Sequence, residues 1–549
     1  MKTKFTPSIN FRLLFVLLFV FLISESVSAV SYYFYVQLTN KNNSPYSLSN
    51  PSEFLSPKAI ARRADFNIGR DSTDLPVNPA YIAQISNLGI MVHSRSKWMN
   101  GVTVLVSDSN IMSQVRTLPF VKRVQYTGKI DTPSPVSKKM KFQADSLNYG
   151  SATTQINQVN GTFLHNQGYT GKNITVGVLD AGFYNVNINP GFDSLRLSGR
   201  LLGTKDIAEP NSNIYALDTH GANVLSIMTG NLPAQYLGTA PHASFWLIRT
   251  EVVPTEYLVE TDFWVSGIEF ADSVGVDVVN SSLGYTQYDD PTMNFTYADM
   301  NGLVSRASRA ATIAAEKGII VCTSAGNEGT RAWRYISSPA DADKILSVGS
   351  VTSTGSASSF SSYGPTYDER IKPEVCAMGS STAYIFHSGV PTWGSGTSYS
   401  SPVIAGMMAC FLQYIKANRS VYFVEDILQS VIRSGNRYGY PDPQMGYGIP
   451  NFQVAAANLP TYNGVNGIKS DNMIAYVDNS NKMLRIKLLD DIYLNGHIHI
   501  YTVTGQLFMT KKVTNSQMEF NISKLHQGIY LVSITNNGFV ETHKIIIEK

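Results

Sequence analysis

Three short segments carry side chains able to do chemistry. In Val178-Leu179-Asp180-Ala181-Gly182 an acid ends an apolar run and a glycine turn follows. Taken alone, Asp180 reads equally as a turn or helix-cap residue, because aspartate is common at strand ends. In His220-Gly221-Ala222-Asn223-Val224-Leu225 a histidine opens an apolar helical stretch, and the small residues behind it let backbone or substrate come close. Alone, it reads as a capping or surface histidine. The third segment is far more specific: Gly394-Ser395-Gly396-Thr397-Ser398-Tyr399-Ser400-Ser401-Pro402-Val403-Ile404-Ala405-Gly406. It places Ser398 at the start of a long apolar helix, with Pro402 in the first turns, where a missing N–H is best tolerated. Free N–H groups and the positive end of the helix dipole then lie near the Ser398 hydroxyl, a setting suited to holding an oxyanion.

Such groups need a large scaffold to bring them together. At 549 residues the chain is too long for one hydrophobic core, and two to four domains are expected. The region from Leu147 to Tyr462 alternates continuous apolar strands (Ile174–Leu179, Ser244–Thr250, Val276–Asn280, Ile319–Thr323) with helices (His220–Thr229, near Thr261–Val274, Ser398–Lys416). That pattern predicts an α/β fold with a mainly parallel sheet covered on both faces.

Before it, residues 30–146 read as a small α+β unit. Its strands are Tyr33–Leu38, Val102–Val106 and Phe120–Tyr126, its helices Pro79–Leu88 and Asn110–Leu118. Thr132–Lys141, rich in proline, serine and lysine, reads as an exposed linker. After the central region, residues 463–470 contain the turn-rich linker Asn463–Gly467. Residues 471–549 alternate apolar and polar positions without helices: Leu484, Ile486 and Leu488, then Ile498 and Ile500, then strands Gly528–Ile534 and Lys544–Ile547 around Asn536-Asn537-Gly538. They predict a small antiparallel β-sandwich.

Residues 1–29 read as a signal peptide. Lys2, Lys4 and Arg12 precede the apolar run Leu13–Ile23, and Val27-Ser28-Ala29 offers small residues for cleavage after Ala29. The run is well short of the ~20 residues that span a bilayer. A net charge of +3 is too small to argue for nucleic acid or an anionic membrane as partner. Cys322, Cys376 and Cys410 are too few and odd in number for a disulfide framework, and buried thiols are expected.

In the order Asp, His, Ser, the three segments resemble the signatures of the subtilisin-like serine peptidases, the subtilases. The resemblance implies that Asp180 is the triad acid, His220 the base and Ser398 the nucleophile. A serine hydroxyl is a weak nucleophile at neutral pH and needs such a base. His220 takes the Ser398 proton and passes it to the leaving amine, while Asp180 holds the imidazole tautomer and stabilises the imidazolium. Val321-Cys322-Thr323-Ser324-Ala325-Gly326-Asn327-Glu328-Gly329 resembles the family segment that carries the oxyanion asparagine. That match gives Asn327 an amide donor role beside the Ser398 N–H; losing such a donor costs ~100- to 1,000-fold in turnover.

Asn280-Ser281-Ser282-Leu283-Gly284 resembles the substrate-binding strand, so Ser282, Leu283 and Gly284 are expected to pair with an extended peptide. Ala325 and Gly326 are expected to line the opposite side of the first specificity pocket. Further matches at Gly238–Ala243, Phe360–Pro365 and Ile371–Val375 extend the resemblance over the central region. Ala181 and Ala222 depart from the Ser or Thr that many relatives carry there, and neither position performs proton chemistry. The related sedolisins replace the histidine with glutamate, and His220 argues against them. No cofactor or metal is expected: structural calcium is frequent in the family, but no run here compares with an Asp-rich calcium loop.

The flanks carry resemblances of their own. Residues 30–146 sit where subtilases carry a pro-domain, an intramolecular inhibitor and folding assistant, and the segment near Val124–Lys141 is expected to pass the catalytic cleft. Ile500–Gln506, Leu525–Val532 and Lys544–Ile547 resemble the sorting domains of the type IX secretion system of Bacteroidetes. They imply a Gram-negative source, the type IX machinery as partner, removal of this domain at the outer membrane, and a product secreted or attached at the cell surface. The expected function is a secreted serine endopeptidase made as a zymogen and acting on proteins or peptides. The alternatives are an inactive binding protein on the same fold and a maturation protease with one cell-surface target.

Overall fold

The computed structural model describes residues 30–66, 68–130, 148–419, 422–460, 473–478, 482–488, 496–515, 517–536 and 539–547. The expected signal peptide and the linkers Thr132–Lys141 and Asn463–Gly467 lie outside the described residues.

Five central strands are buried along their whole length, which is why they read as unbroken apolar runs: Thr175–Asp180, Val278–Ser281, Ile320–Ser324, Leu346–Val351 and Val375–Met378. With Ser244–Arg249 and Leu201–Asp206 they make a seven-stranded sheet. Its spatial order begins at Val375–Met378, runs through Leu346–Val351, Ile320–Ser324, Val278–Ser281, Thr175–Asp180 and Ser244–Arg249, and ends at Leu201–Asp206. Every neighbouring pair is parallel.

Because side chains alternate faces along a strand, Val178 and Leu179 enter different cores. Val178 packs with the helices His220–Thr229 and Thr397–Asn418; Leu179 packs with Val259–Val274 and Arg306–Glu316. The sheet starts in its middle, at Thr175–Asp180. It adds strands on one side, then returns to build the other. At that reversal the carboxyl ends of Thr175–Asp180 and Val278–Ser281 leave the crevice where open α/β sheets bind ligands.

The N-terminal region forms a four-stranded antiparallel sheet in the order Met91–Ser96, Gly101–Val106, Ser31–Leu38, Val121–Ile130. The helix Pro57–Asp65 and the strand Met91–Ser96 are additions to the sequence expectation. The helix has a proline at its first turn and a Ser56 cap on Ala59 N, but its buried positions include Arg62 and Arg63, so no apolar stripe announces it. The strand is polar and carries a register shift between Val92 and Ser94.

The C-terminal region has a three-stranded and a four-stranded antiparallel sheet. They share a core that includes Leu484, Ile486, Ile498, Ile500, Val532 and Ile545. Cys322, Cys376 and Cys410 are buried free thiols.

Candidate active site

Asp180 is the last residue of its strand and is fully buried. Its Oδ1 accepts from Ala181 N at 2.8 Å and from His220 Nδ1 at 2.7 Å. Its Oδ2 is buried with no hydrogen-bond partner among the described residues, and the adjacent Ala181 offers no hydroxyl to it.

His220 opens its helix, with its own N–H donating to Asp218 Oδ1 at 2.7 Å. Its side chain is 32 % exposed. Burial pulls the imidazole pKa down, but the charge of Asp180, the hydrogen bond to it and the charge of Asp218 together raise it above the ordinary value. The residue after the histidine has no room for a side chain. A Cβ on Gly221 would lie 2.4 Å from Gly182 O and 2.8 Å from Asp180 Cβ.

The helix Thr397–Asn418 begins one residue before Ser398. Pro402 lacks the N–H that would bond the Ser398 carbonyl. That carbonyl instead accepts from Ser282 Oγ at 3.0 Å, and the Ser398 hydroxyl donates to the Ser282 carbonyl at 3.3 Å. Asn280 Nδ2 donates to Ser282 Oγ at 3.1 Å, and Ser401 Oγ donates to Asn280 Oδ1 at 2.8 Å. The end of the Val278–Ser281 strand is thereby fastened to the start of the helix. Asn327 Oδ1 accepts from Thr397 N at 2.8 Å and Thr397 Oγ1 at 3.0 Å. Both bonds go to the carbonyl end of the amide, so Nδ2 remains to donate elsewhere.

Gly284 and Gly326 approach one residue, Ser337. A Cβ on Gly284 would lie 2.2 Å from Ser337 Oγ, and one on Gly326 would lie 3.2 Å from it. Ser337 N donates to the Ala325 carbonyl at 3.3 Å, and Ser338 N to the Tyr285 carbonyl at 3.3 Å. This segment therefore ties the two expected walls together, with the buried Ser337 hydroxyl, unpartnered among the described residues, between them. Leu283 is half-buried against the core under the Val259–Val274 helix. Ile336-Ser337-Ser338-Pro339 has neither periodicity nor motif, so nothing in the sequence marks Ser337. Thr397 stands beside Ser398 in the Gly394–Gly406 string, and it holds both Asn327 and Gly326, the latter by a 3.2 Å bond from Gly326 N to Thr397 Oγ1.

Comparison with known proteins bears on each part of the chain. Residues 33–143 match the peptidase S8 propeptide domain of Bacteroidota. Residues 480–548 match the secretion system C-terminal sorting domain, which makes this a chain exported to the cell surface or beyond. Subtilisin NAT of Bacillus subtilis subsp. natto is 28% identical over 314 residues, covering 57% of this chain and 72% of the relative. The subtilisin of Bacillus pumilus is 27% identical over 314 residues, covering 57% of this chain and all of the relative. Serine protease AprX of Bacillus subtilis (strain 168) is 30% identical over 279 residues, covering 45% of this chain and 58% of the relative. The profile of the Subtilase family matches residues 171–448, just over half of the chain and the whole seven-stranded sheet. The chain belongs to the subtilase family.

Proposed function

We propose that the chain is the zymogen of an exported serine endopeptidase that hydrolyses peptide bonds through an acyl-enzyme on Ser398. The observation that carries this reading is the 2.7 Å contact from His220 Nδ1 to Asp180 Oδ1, at the strand ends where a helix-start serine also lies. With Nδ1 committed to Asp180, Nε2 is the free ring nitrogen and the base. Rotation of Ser398 about χ1 takes its hydroxyl from the Ser282 carbonyl to that nitrogen. Nε2 accepts the proton as Oγ attacks the peptide carbonyl, and Asp180 stabilises the imidazolium.

The oxyanion is held by the Ser398 N–H, at the positive end of the helix, and by Asn327 Nδ2. His220 returns the proton to the amine as the C–N bond breaks, leaving the acyl group on Ser398. Water, deprotonated in the same way, then releases the acid product. An extended peptide pairs with Ser282, Leu283 and Gly284. The side chain before the scissile bond enters between Gly284 and the Ala325-Gly326 wall, where Ser337 closes the slot.

Residues 30–146 are the intramolecular inhibitor, docked on the Val259–Val274 helix, and the C-terminal sandwich is handed to the type IX machinery. The processed enzyme is expected to hydrolyse casein, and Ser398→Ala to lower the rate by about 10⁴-fold or more. Equal rates for the two refute the nucleophile. N-terminal sequencing of active enzyme is expected to begin beyond the pro-region, and a start at Val30 refutes the zymogen.

A further inference from the structure

Glu251, Glu256 and Glu260 lie on the segment that leads from the Ser244–Arg249 strand into the Val259–Val274 helix. This segment borders the site on two sides. Thr250 N donates to the Asp180 carbonyl at 3.1 Å, and Tyr285, the residue after Gly284, donates its hydroxyl to Glu251 Oε1. Glu260 Oε1 accepts from Val252 N at 2.9 Å. Asp289 Oδ2 accepts from Glu256 N at 3.1 Å, which adds a fourth acid at the edge.

These glutamates differ from four other buried carboxylates. Asp272 is paired with Arg62, Arg63 and Lys97, Asp262 with Arg306, Asp206 with Arg249, and Glu374 with Lys372. Glu251, Glu256 and Glu260 form no ion pair with a lysine or arginine among the described residues, and their largest electrostatic neighbours are acids. Burial first raises all three acids, Glu256 to about 7; the charge of Asp289 adds to it at Glu256, and the neighbouring glutamates add to it at Glu251 and Glu260.

Two polar atoms are also left over. Glu260 is 2% exposed and its Oε2 has no hydrogen-bond partner among the described residues. Tyr288 is 6% exposed, its hydroxyl has no partner among the described residues, and it lies in the field of Glu256, Arg306 and Glu260, with Arg306 itself paired to Asp262. Buried acids without a counterion are costly. A cation arriving with the substrate removes that cost. A bound metal is a poorer fit, since among the described residues no three acid, histidine or cysteine side chains are placed to hold one.

The chain carries such cations in the stretch that joins Ile130 to Asn148. The pro-region strand Val121–Ile130 comes down on this segment, where a Cβ on Gly128 would lie 2.7 Å from Tyr257 Cβ. The sequence after Ile130 contains Lys138-Lys139-Met140-Lys141, and the described chain resumes against Gln235 and Tyr236, where Ser151 N donates to the Gln235 carbonyl at 2.9 Å.

We infer that Glu251, Glu256 and Glu260 form a subsite for a lysine or arginine side chain on the acyl side of the scissile bond, first occupied by a lysine of Lys138–Lys141. The acyl side follows from position. Tyr285 continues the Ser282–Gly284 edge beyond the slot that receives the side chain before the scissile bond. The inference rests on that edge being the substrate strand.

The test uses processed enzyme and peptides carrying lysine, arginine or norleucine at the second, third or fourth residue before the scissile bond. Norleucine keeps the apolar stem and removes the charge. At one of these positions the basic residues are expected to raise kcat/KM at least about tenfold over norleucine, chiefly through KM. Glu251→Gln and Glu260→Gln are each expected to cut that ratio below about threefold. The ratio is unmoved by a general loss of activity, and glutamine keeps the shape while removing a buried charge. A wild-type enzyme with no preference at any of these positions, or a preference kept in both variants, overturns the subsite.

Replacing Lys138, Lys139 and Lys141 together by glutamine is expected to slow maturation of the full chain about fivefold or more. Maturation at the wild-type rate overturns the assignment of the first occupant. Failure of the peptidase reading looks different: no hydrolysis of any peptide and no labelling of Ser398 by a fluorophosphonate.

Discussion

At one end of the Val259–Val274 helix, Asp272 is enclosed by Arg62, Arg63 and Lys97; at the other, Glu260 lies with Glu251 and Glu256 and meets no cation among the described residues. The helix dipole contributes to this asymmetry. Glu260 and Asp262 occupy the first turn, where negative charge is favoured, whereas Asp272 is near the last turn, where it is not. Asp272 is nevertheless held ionised, because three cations outweigh both its burial and the dipole. All three come from the pro-region, so this pairing is a property of the docked state and is exchanged for water when the pro-region leaves. Arg63 and Lys317 extend the network to Asp74, at 2.6 and 3.0 Å. A carboxylate whose cations belong to the pro-region is a docking contact. A carboxylate group without cations, beside the substrate edge, is a vacancy for substrate charge.

The largest expected effect breaks the paired end. Asp272→Ala strands Arg62 and Lys97 in a buried interface and leaves Arg63 only Asp74, a loss of about 3–5 kcal/mol, or roughly 150- to 5,000-fold in affinity. The measurement is the inhibition constant of residues 30–146 added to processed enzyme; this region has its own apolar core, including Val36, Val102, Val104 and Val115. A change below threefold would mean that Asp272 is not the anchor.

The two ends were not equally legible. Short strings disclose the segments that bear Asp180, His220 and Ser398, because strand ends and helix starts are local features and buried parallel strands leave continuous apolar runs. The order of the seven strands is not local, and the string offers no pairing. The helix Pro57–Asp65 escapes periodicity because Arg62 and Arg63 face inward, stabilised by Asp272 some two hundred residues away. Glu251, Glu256 and Glu260 span a strand end, a loop and a helix start, so no single period connects them. Their isolation is defined by which cations lie elsewhere, and Ser337 is defined by two glycines from distant segments. Such features exist only after folding.

A middle-sized effect sharpens the comparison with a pH dependence. Glu269, between the two ends, accepts from Ser96 Oγ at 2.7 Å, Lys97 N at 2.7 Å and Trp98 N at 3.0 Å, all in the pro-region. Burial raises it to about 7 in the docked state, against the pull of Lys97 and of these hydrogen bonds. Removal of the pro-region opens that face to water, where the ordinary value near 4.5 applies. An acid with the higher pKa in the complex takes up a proton on docking. Affinity therefore rises as pH falls from about 7 towards 4.5, and is level above 7. Asp272 has the opposite sign, being depressed, and its contribution fades only below its ordinary value of 3.8. Between pH 7.5 and 5 the inhibition constant is expected to tighten about tenfold, and Glu269→Gln to flatten the profile. Weakening across that window would reverse the assignment of Glu269.

The smallest expected effect acts on the unpaired end. Tyr285→Phe removes the hydroxyl that donates to Glu251 Oε1 and leaves only the Thr250 hydroxyl, at 3.2 Å. A donor to a carboxylate favours its charged form, so its loss raises Glu251 further and leaves less anion at neutral pH. A lysine entering the subsite must then displace a proton as well as water. The lysine-over-norleucine ratio is expected to fall about threefold at pH 7 and to recover by pH 9, where the carboxyl is more readily ionised. That recovery separates lost charge from lost packing, since a phenylalanine that merely repacks the pocket lowers the ratio equally at both values. A ratio that rises at pH 7 would mean that the hydroxyl competes with the substrate cation for the carboxylate, and Glu251 would then be the contact that Tyr285 restrains.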